Sequence, residues 1–370
     1  MAASSYGKAG SAADSAMQLY QQPIAQRIAW LEQLGQAHSS HFLSAPQQQA
    51  RAQYQAAHPS AIVALKCMDG RLHLPVATQT PQGIIQPFRN LGGIFDLGWP
   101  YLGDLIADTV CQAERANRPV LVLITYHFSR GSKARGCAGF NCSKTAALAA
   151  ARQLQQQFRQ LYPDLSRVYP LVCGFETDSD GLLIHGGLLP DDQAILDLTC
   201  LTPDTTIAPL LQQLLPDMSA RLQADLLPLL QGNLAHIAEI HGSKRPLAQE
   251  HREWMLCIGR GFDFLHVPNT ALIIGPFSPD LTLPLRQAAA IIAANMQQRR
   301  IPDDGALLLA SVPYQQAGGE QRRATLKATF LANFAMATVQ QHQPQLAEKL
   351  YIKTATLHWP SQQLEFFSPQ

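Results

Sequence analysis

A small set of residues in this sequence has types and spacing that could do chemistry. Cys67, Asp69 and Arg71 stand in the run Cys-Met-Asp-Gly-Arg at the end of an apolar stretch, Ile62 to Cys67. His127 follows a second apolar run, Val120 to Tyr126, and Cys137 and Cys142 lie in the loop rich in Gly, Ser and Cys beyond it. Two thiolates and one imidazole suit Zn2+, a borderline-soft ion that favours tetrahedral sites. With Cys67, His127 and Cys137 as three protein ligands, the fourth position is left to water, as in catalytic zinc sites. Cys142 is as good a ligand by helix geometry, because a helix start lowers a thiol pKa. All four together would close a Cys3His structural zinc. Asp69 and Arg71 can form a charge-assisted pair that keeps Asp69 ionised as a hydrogen-bond acceptor. Taken singly, each residue also has a plainer reading as a buried thiol, a core histidine or a solvated turn.

The elements that must position these residues read as α/β. Ile62 to Cys67, Val120 to Tyr126 and Arg167 to Phe175 have the texture of buried strands, the last ending in the acidic turn Glu176 to Gly181. Helices are expected at Tyr101 to Arg118 and Ser143 to Leu161, with Ser143 as a cap. Strands alternating with helices predict a mainly parallel sheet flanked by helices. Ahead of it, residues 1–58 form an amphipathic helical region starting near Ala13, and residues 203–250 read as helical again. Strand-like segments then return at Glu253 to Ile258, Ala271 to Ile274 and Ala306 to Val312, with helices at Leu285 to Met296 and Arg322 to Gln340.

The later part can be laid against the earlier one. Leu65 to Arg71 resembles Met255 to Gly261, and Leu121 to Phe128 resembles Leu307 to Tyr314. In that pairing Asp69 meets Gly259, His127 meets Pro313, and nothing matches Cys137. The expected division is therefore a helical region at 1–58, a zinc-binding domain at 59–202, and a degenerate second copy with a helical lead-in at 203–370.

Composition narrows the function classes. The 370 residues are 46% hydrophobic and 15% charged, which is globular rather than disordered. Lys plus Arg number 28 against 27 Asp plus Glu, so no global field favours nucleic acid or an acidic membrane. No apolar run is long enough to span a bilayer. Met1 to Gly10 lacks the basic stretch and apolar core of a secretory signal, so a cytoplasmic address is expected. The 7 cysteines, an odd number, then read as buried thiols or metal ligands rather than disulfides.

The pattern Cys67-x-Asp69-x-Arg71, followed by a His and a Cys, resembles the β-class carbonic anhydrases. In most of that family the His and Cys are only a few residues apart. Here they are ten apart (127 to 137), or fifteen with Cys142 (127 to 142). The chain looks more like the divergent branch found in carboxysome shells, which has a longer loop there, a helical N-terminal domain and a degenerate second copy. Similar segments are C-M-D-G-R at 67–71, G-G-I-F-D at 92–96, Y-H-F-S at 126–129, G-C-A-G at 136–139 and G-F-E-T-D-S-D at 174–180. The loop and the N-terminal region are shorter than in the shell enzymes.

The resemblance implies Cys137 rather than Cys142 as third zinc ligand, and Asp69 with Arg71 as the catalytic dyad. It implies interconversion of CO2 and bicarbonate by a zinc-bound hydroxide that Asp69 orients. Competing expectations are a non-catalytic structural zinc or shell-associated interaction protein, and a CS2 or COS hydrolase on the same scaffold. Phe95 and Phe128 are candidates for a dry CO2 pocket. His73 and His185 are candidate proton carriers with a stronger reading as core residues, and the acidic turn is expected to brace the loop near the metal. In the family two catalytic folds pair, so the second copy would supply that interface within the chain. A homodimer, and association with a carboxysome shell or Rubisco, complete what the resemblance implies.

Overall fold

The computed structural model describes residues 19–186, 194–242, 250–265, 267 and 269–367. Met1 to Gly10 and the expected helix start near Ala13 lie outside the described residues. Among the described residues no helix is long and apolar enough to cross a membrane. The chain forms two compact units, 41–249 with 273–284, and 1–40 with 250–272 and 285–370. Each holds one α/β layer structure, as the alternation of strands and helices predicts.

The first unit is built on a six-stranded sheet. Its strands are β1 (Ala61–Cys67), β2 (Ile85–Asn90), β3 (Val120–Phe128), β4 (Val168–Glu176), β5 (Gly181–His185) and β6 (Ile195–Asp197). The order is β2-β1-β3-β4-β5-β6. The first four strands run parallel, and β5 and β6 are antiparallel additions. Every residue of β3 and β4 is buried, as befits strands covered on both faces. The helix Pro100–Arg115 buries Leu102, Ile106, Val110 and Ala113, and Lys144–Leu161 buries Ala147, Ala151, Leu154 and Phe158. Ser143 caps the second helix by accepting from the Ala146 N–H at 3.2 Å. From β1 the chain goes to β2 on one side and then to β3 on the other. The carboxyl ends of β1 and β3 therefore flank a topological switch point, where open α/β sheets bind ligands.

The second sheet is built of β7 (Met255–Gly259), β8 (Ala271–Ile274), β9 (Ala306–Tyr314), β10 (Leu350–His358) and β11 (Gln363–Phe367), and all but the last two residues of β8 belong to the second unit. Their order, β11-β10-β9-β7-β8, repeats β5-β4-β3-β1-β2. The register repeats too. Leu121 pairs with Ile62 and Tyr169, and Leu307 pairs with Met255 and Tyr351. The antiparallel hairpins close as Glu176 opposite Gly181 and His358 opposite Gln363. Asp180 and Gln362, each one residue before the returning strand, share a left-handed φ of 53°. This register corrects the first sequence pairing by three residues: Ile62, not Leu65, corresponds to Met255. Cys67 then falls on Arg260, while His127 still falls on Pro313. Residues 129–143 separate β3 from its helix, against only 315–318 after β9, so the copy lacks the loop that carries Cys137.

The compact units group the chain differently from the sequential division 1–58, 59–202 and 203–370. The helix Ile24–Leu43 belongs largely to the second unit, where Arg27 pairs with Asp304 and Lys353 with Glu32. The helix Ala220–His241 belongs to the first. Its buried Asn233 accepts from the Leu182 N–H and donates to the Ala77 and Asp180 carbonyls at 2.8–2.9 Å. Residues 273–284 return to the first unit, with the Ile273 N–H on the Met68 carbonyl and the Gly275 N–H on the Arg89 carbonyl. Phe277 packs there against Phe88.

Candidate metal centre

Cys67 is the last residue of β1, and His127 lies inside β3 rather than after it, because pairing with β4 continues through His127 opposite Phe175. Cys137 comes from the loop between β3 and the helix Lys144–Leu161. All three side chains are buried, and their ligand atoms lie within 4.8 Å of one another. The Cys67 and Cys137 sulfurs are 3.9 Å apart. Two sulfurs each about 2.3 Å from a tetrahedral ion would stand roughly 3.8 Å apart. Neither ring nitrogen of His127 has a hydrogen-bond partner, although the side chain is 1% exposed. Burying unpaired imidazole nitrogens is costly, and a cation bound by one of them together with the sulfurs removes part of that cost. The donor set thus fits a metal ion.

The electrostatics of the thiols agree. Burial raises the Cys67 thiol, but the hydrogen bond from Cys137 and the neighbouring His127 outweigh it and hold it well below the ordinary thiol range. Cys137 is pushed up by that same hydrogen bond, by burial and by the charge on Cys67.

Cys142 is not in this group. After the 3-10 turn Ala138–Phe140 the chain turns through left-handed Asn141 and Cys142, at φ 48° and 61°. The Cys142 sulfur points to the Ala134 carbonyl at 3.6 Å, while its N–H donates to the Cys137 carbonyl at 2.9 Å. The loop is pinned from the β2 side as well. A Cβ on Gly139 would lie 2.7 Å from the Gly92 Cα, so this close backbone approach requires glycine and ties the segment 136–139 to 92–96.

Asp69 and Arg71 form a buried fork at the rim of the ligand group. Arg71 donates to Asp69 Oδ1 from its backbone N–H at 2.9 Å and from Nε at 3.0 Å, and to Oδ2 from Nη2 at 2.7 Å. Asp69 Oδ2 lies 3.7 Å from His127 Nε2. Bidentate pairing of this kind fixes the carboxylate in orientation and charge. Arg89 donates to the Asp69 and Leu72 carbonyls at 3.1 and 2.9 Å, and so holds the turn from below. The sequence reading missed Arg89, because Pro87 obscured β2. An arginine closing the mostly apolar stretch Ile84 to Phe88 was the available signal.

The acidic turn does brace the loop. Asp178 accepts from the Ser129 hydroxyl and the Gly131 N–H and pairs with Arg135, while Glu176 accepts from the Arg130 N–H at 3.1 Å. The other sequence candidates serve the core. His73 Nε2 meets the Gly70 carbonyl at 2.9 Å, and His185 Nε2 meets the Tyr126 hydroxyl at 2.9 Å. Burial, then Arg152 and Lys144, lower the His185 pKa to about 4. Phe95 packs with Phe277, and Phe128 stacks on Tyr126 beneath the Lys144 ammonium. No protein-family model and no curated protein matches this chain.

Proposed function

We propose that the chain is a zinc-dependent carbonic anhydrase of the β-class kind, interconverting CO2 and bicarbonate. The observation that supports this most is the meeting of Cys67, His127 and Cys137 beside the Asp69–Arg71 fork. A zinc ion held by those three residues would supply a Lewis acid that brings the pKa of water towards neutrality. The chain's own residues do the rest. Arg71 keeps Asp69 an acceptor only, so the carboxylate takes the O–H of the attacking oxygen and aims its lone pair at carbon. Burial of the whole group strengthens these charge-assisted contacts. A homodimer, a carboxysome setting, and contact with a shell or Rubisco belong to the same proposal and rest on the resemblance.

Cys67→Ser and His127→Ala test the reading. Each is expected to lose both bound zinc and CO2 hydration. Full hydration by a zinc-free Cys67→Ser protein would contradict it.

A further inference from the structure

Arg71 Nη2 has two hydrogens, and the structure uses both. One goes to Asp69 Oδ2 at 2.7 Å and the other to the main-chain carbonyl of Arg135 at 3.0 Å. The guanidinium plane that orients Asp69 is therefore set by where Arg135 stands, two residues before Cys137. Arg135 is in turn fixed from outside the ligand group. Its guanidinium lies 3.3 Å from Asp178 Oδ1, and Asp178 also accepts from the Ser129 hydroxyl at 2.8 Å and the Gly131 N–H at 2.7 Å. Those contacts tie both ends of the segment 129–135 to the turn after β4. A Cβ on Gly131 would lie 2.5 Å from Arg135 Nη2, so the segment is closed tightly over the ion pair.

We propose that Arg135 and Asp178 are positioning residues for the Asp69–Arg71 pair, linking the β4 turn to the placement of Asp69 and of the Cys137 loop. The catalytic consequence rests on the carbonic anhydrase reading, while the geometric one does not. The ion pair sets the loop, the Arg135 carbonyl sets Arg71, and Arg71 sets the Asp69 carboxylate. Asp178 suits the task because it stays charged. Burial raises its pKa, but the Gly131 N–H, the Ser129 hydroxyl and Arg135 together hold it below the ordinary carboxylate range.

The test uses full-length, metal-loaded protein carrying Asp178→Asn, Arg135→Gln or Arg135→Lys. The first two are expected to keep zinc and KM and to lose kcat by about 10-fold, the scale of outer-shell substitutions at metal sites. Arg135→Lys keeps both the ion pair and the main-chain carbonyl and is expected to restore most of the rate. A plain fold-stabilising role would not produce that split. The visible d–d spectrum of the Co2+-loaded chain gives a readout independent of turnover. It should shift in Asp178→Asn and Arg135→Gln and return towards wild type in Arg135→Lys. Wild-type kcat per metal with a wild-type cobalt spectrum would overturn the proposal, as would equal losses in the Gln and Lys variants. If the wild-type chain does not hydrate CO2, the functional reading fails and the cobalt spectra alone decide the positioning role.

Discussion

The sulfurs of Cys67 and Cys137 lie 3.9 Å apart although 70 positions separate the two residues. β1 delivers the first at a switch point of the sheet, and a glycine-pinned loop delivers the second. The prediction concerns which cysteine matters. Cys137→Ser should lose the metal, whereas Cys142→Ser should keep about one ion per chain, since its sulfur faces the Ala134 carbonyl instead. Metal analysis after gel filtration reads both. Loss of metal from Cys142→Ser with retention by Cys137→Ser would reverse the assignment.

Asp69→Asn separates binding from rate. Asp69 is not among the three metal ligands in this arrangement, so zinc should stay in the variant while kcat falls by about 10- to 100-fold. An asparagine side chain cannot accept on both atoms of the Arg71 fork. Steady-state CO2 hydration per bound zinc is the measurement, and an unchanged rate would remove Asp69 from the mechanism.

Gly139→Ala should damage the fold and the metal site together. Its new Cβ would meet Gly92 backbone atoms at 2.7 and 2.8 Å, where no flexible side chain can yield. Overpacking of this kind costs about 1–3 kcal/mol. Gly319→Ala is the control, because nothing lies within 4 Å of its added Cβ. Urea unfolding and zinc affinity should both fall for the first and neither for the second.

His185 makes an acid-side prediction. Its folded pKa is about 4, below the ordinary imidazole value of 6.5. Above pH 6.5 both states are neutral and its contribution is complete. As pH falls towards 4 the unfolded chain takes the proton first, so stability is lost, by roughly 3 kcal/mol across that window. In metal-free protein His185→Leu should therefore show a flatter fall in unfolding free energy between about pH 7 and 4 than the wild type. Parallel slopes would show that His185 does not titrate in this way.

Several parts of this architecture were legible in the sequence. Continuous apolar runs announced β1, β3 and β9, and Ser143 announced its helix. β2 escaped because Pro87 interrupts it, and β5 and β6 because short antiparallel strands carry little pattern. The three site side chains were named from residue type and motif. The choice between Cys137 and Cys142 was not local, since it depends on a left-handed turn at Asn141 and Cys142 and on Gly139 meeting Gly92. The grouping of the chain into units was also hidden. Arg27 and Asp304 are 277 positions apart, and no periodicity reports such a pairing. The duplicated fold was suggested by texture, but only strand register showed that Cys67 corresponds to Arg260.

The central claim is that this chain turns over CO2 at a zinc held by Cys67, His127 and Cys137. Stopped-flow CO2 hydration by purified wild-type protein in reducing buffer, with zinc counted in the same sample, tests it most directly. The account predicts about one zinc per chain and fast hydration that a small anion blocks. A full complement of zinc with no hydration across about pH 7 to 9 would contradict it.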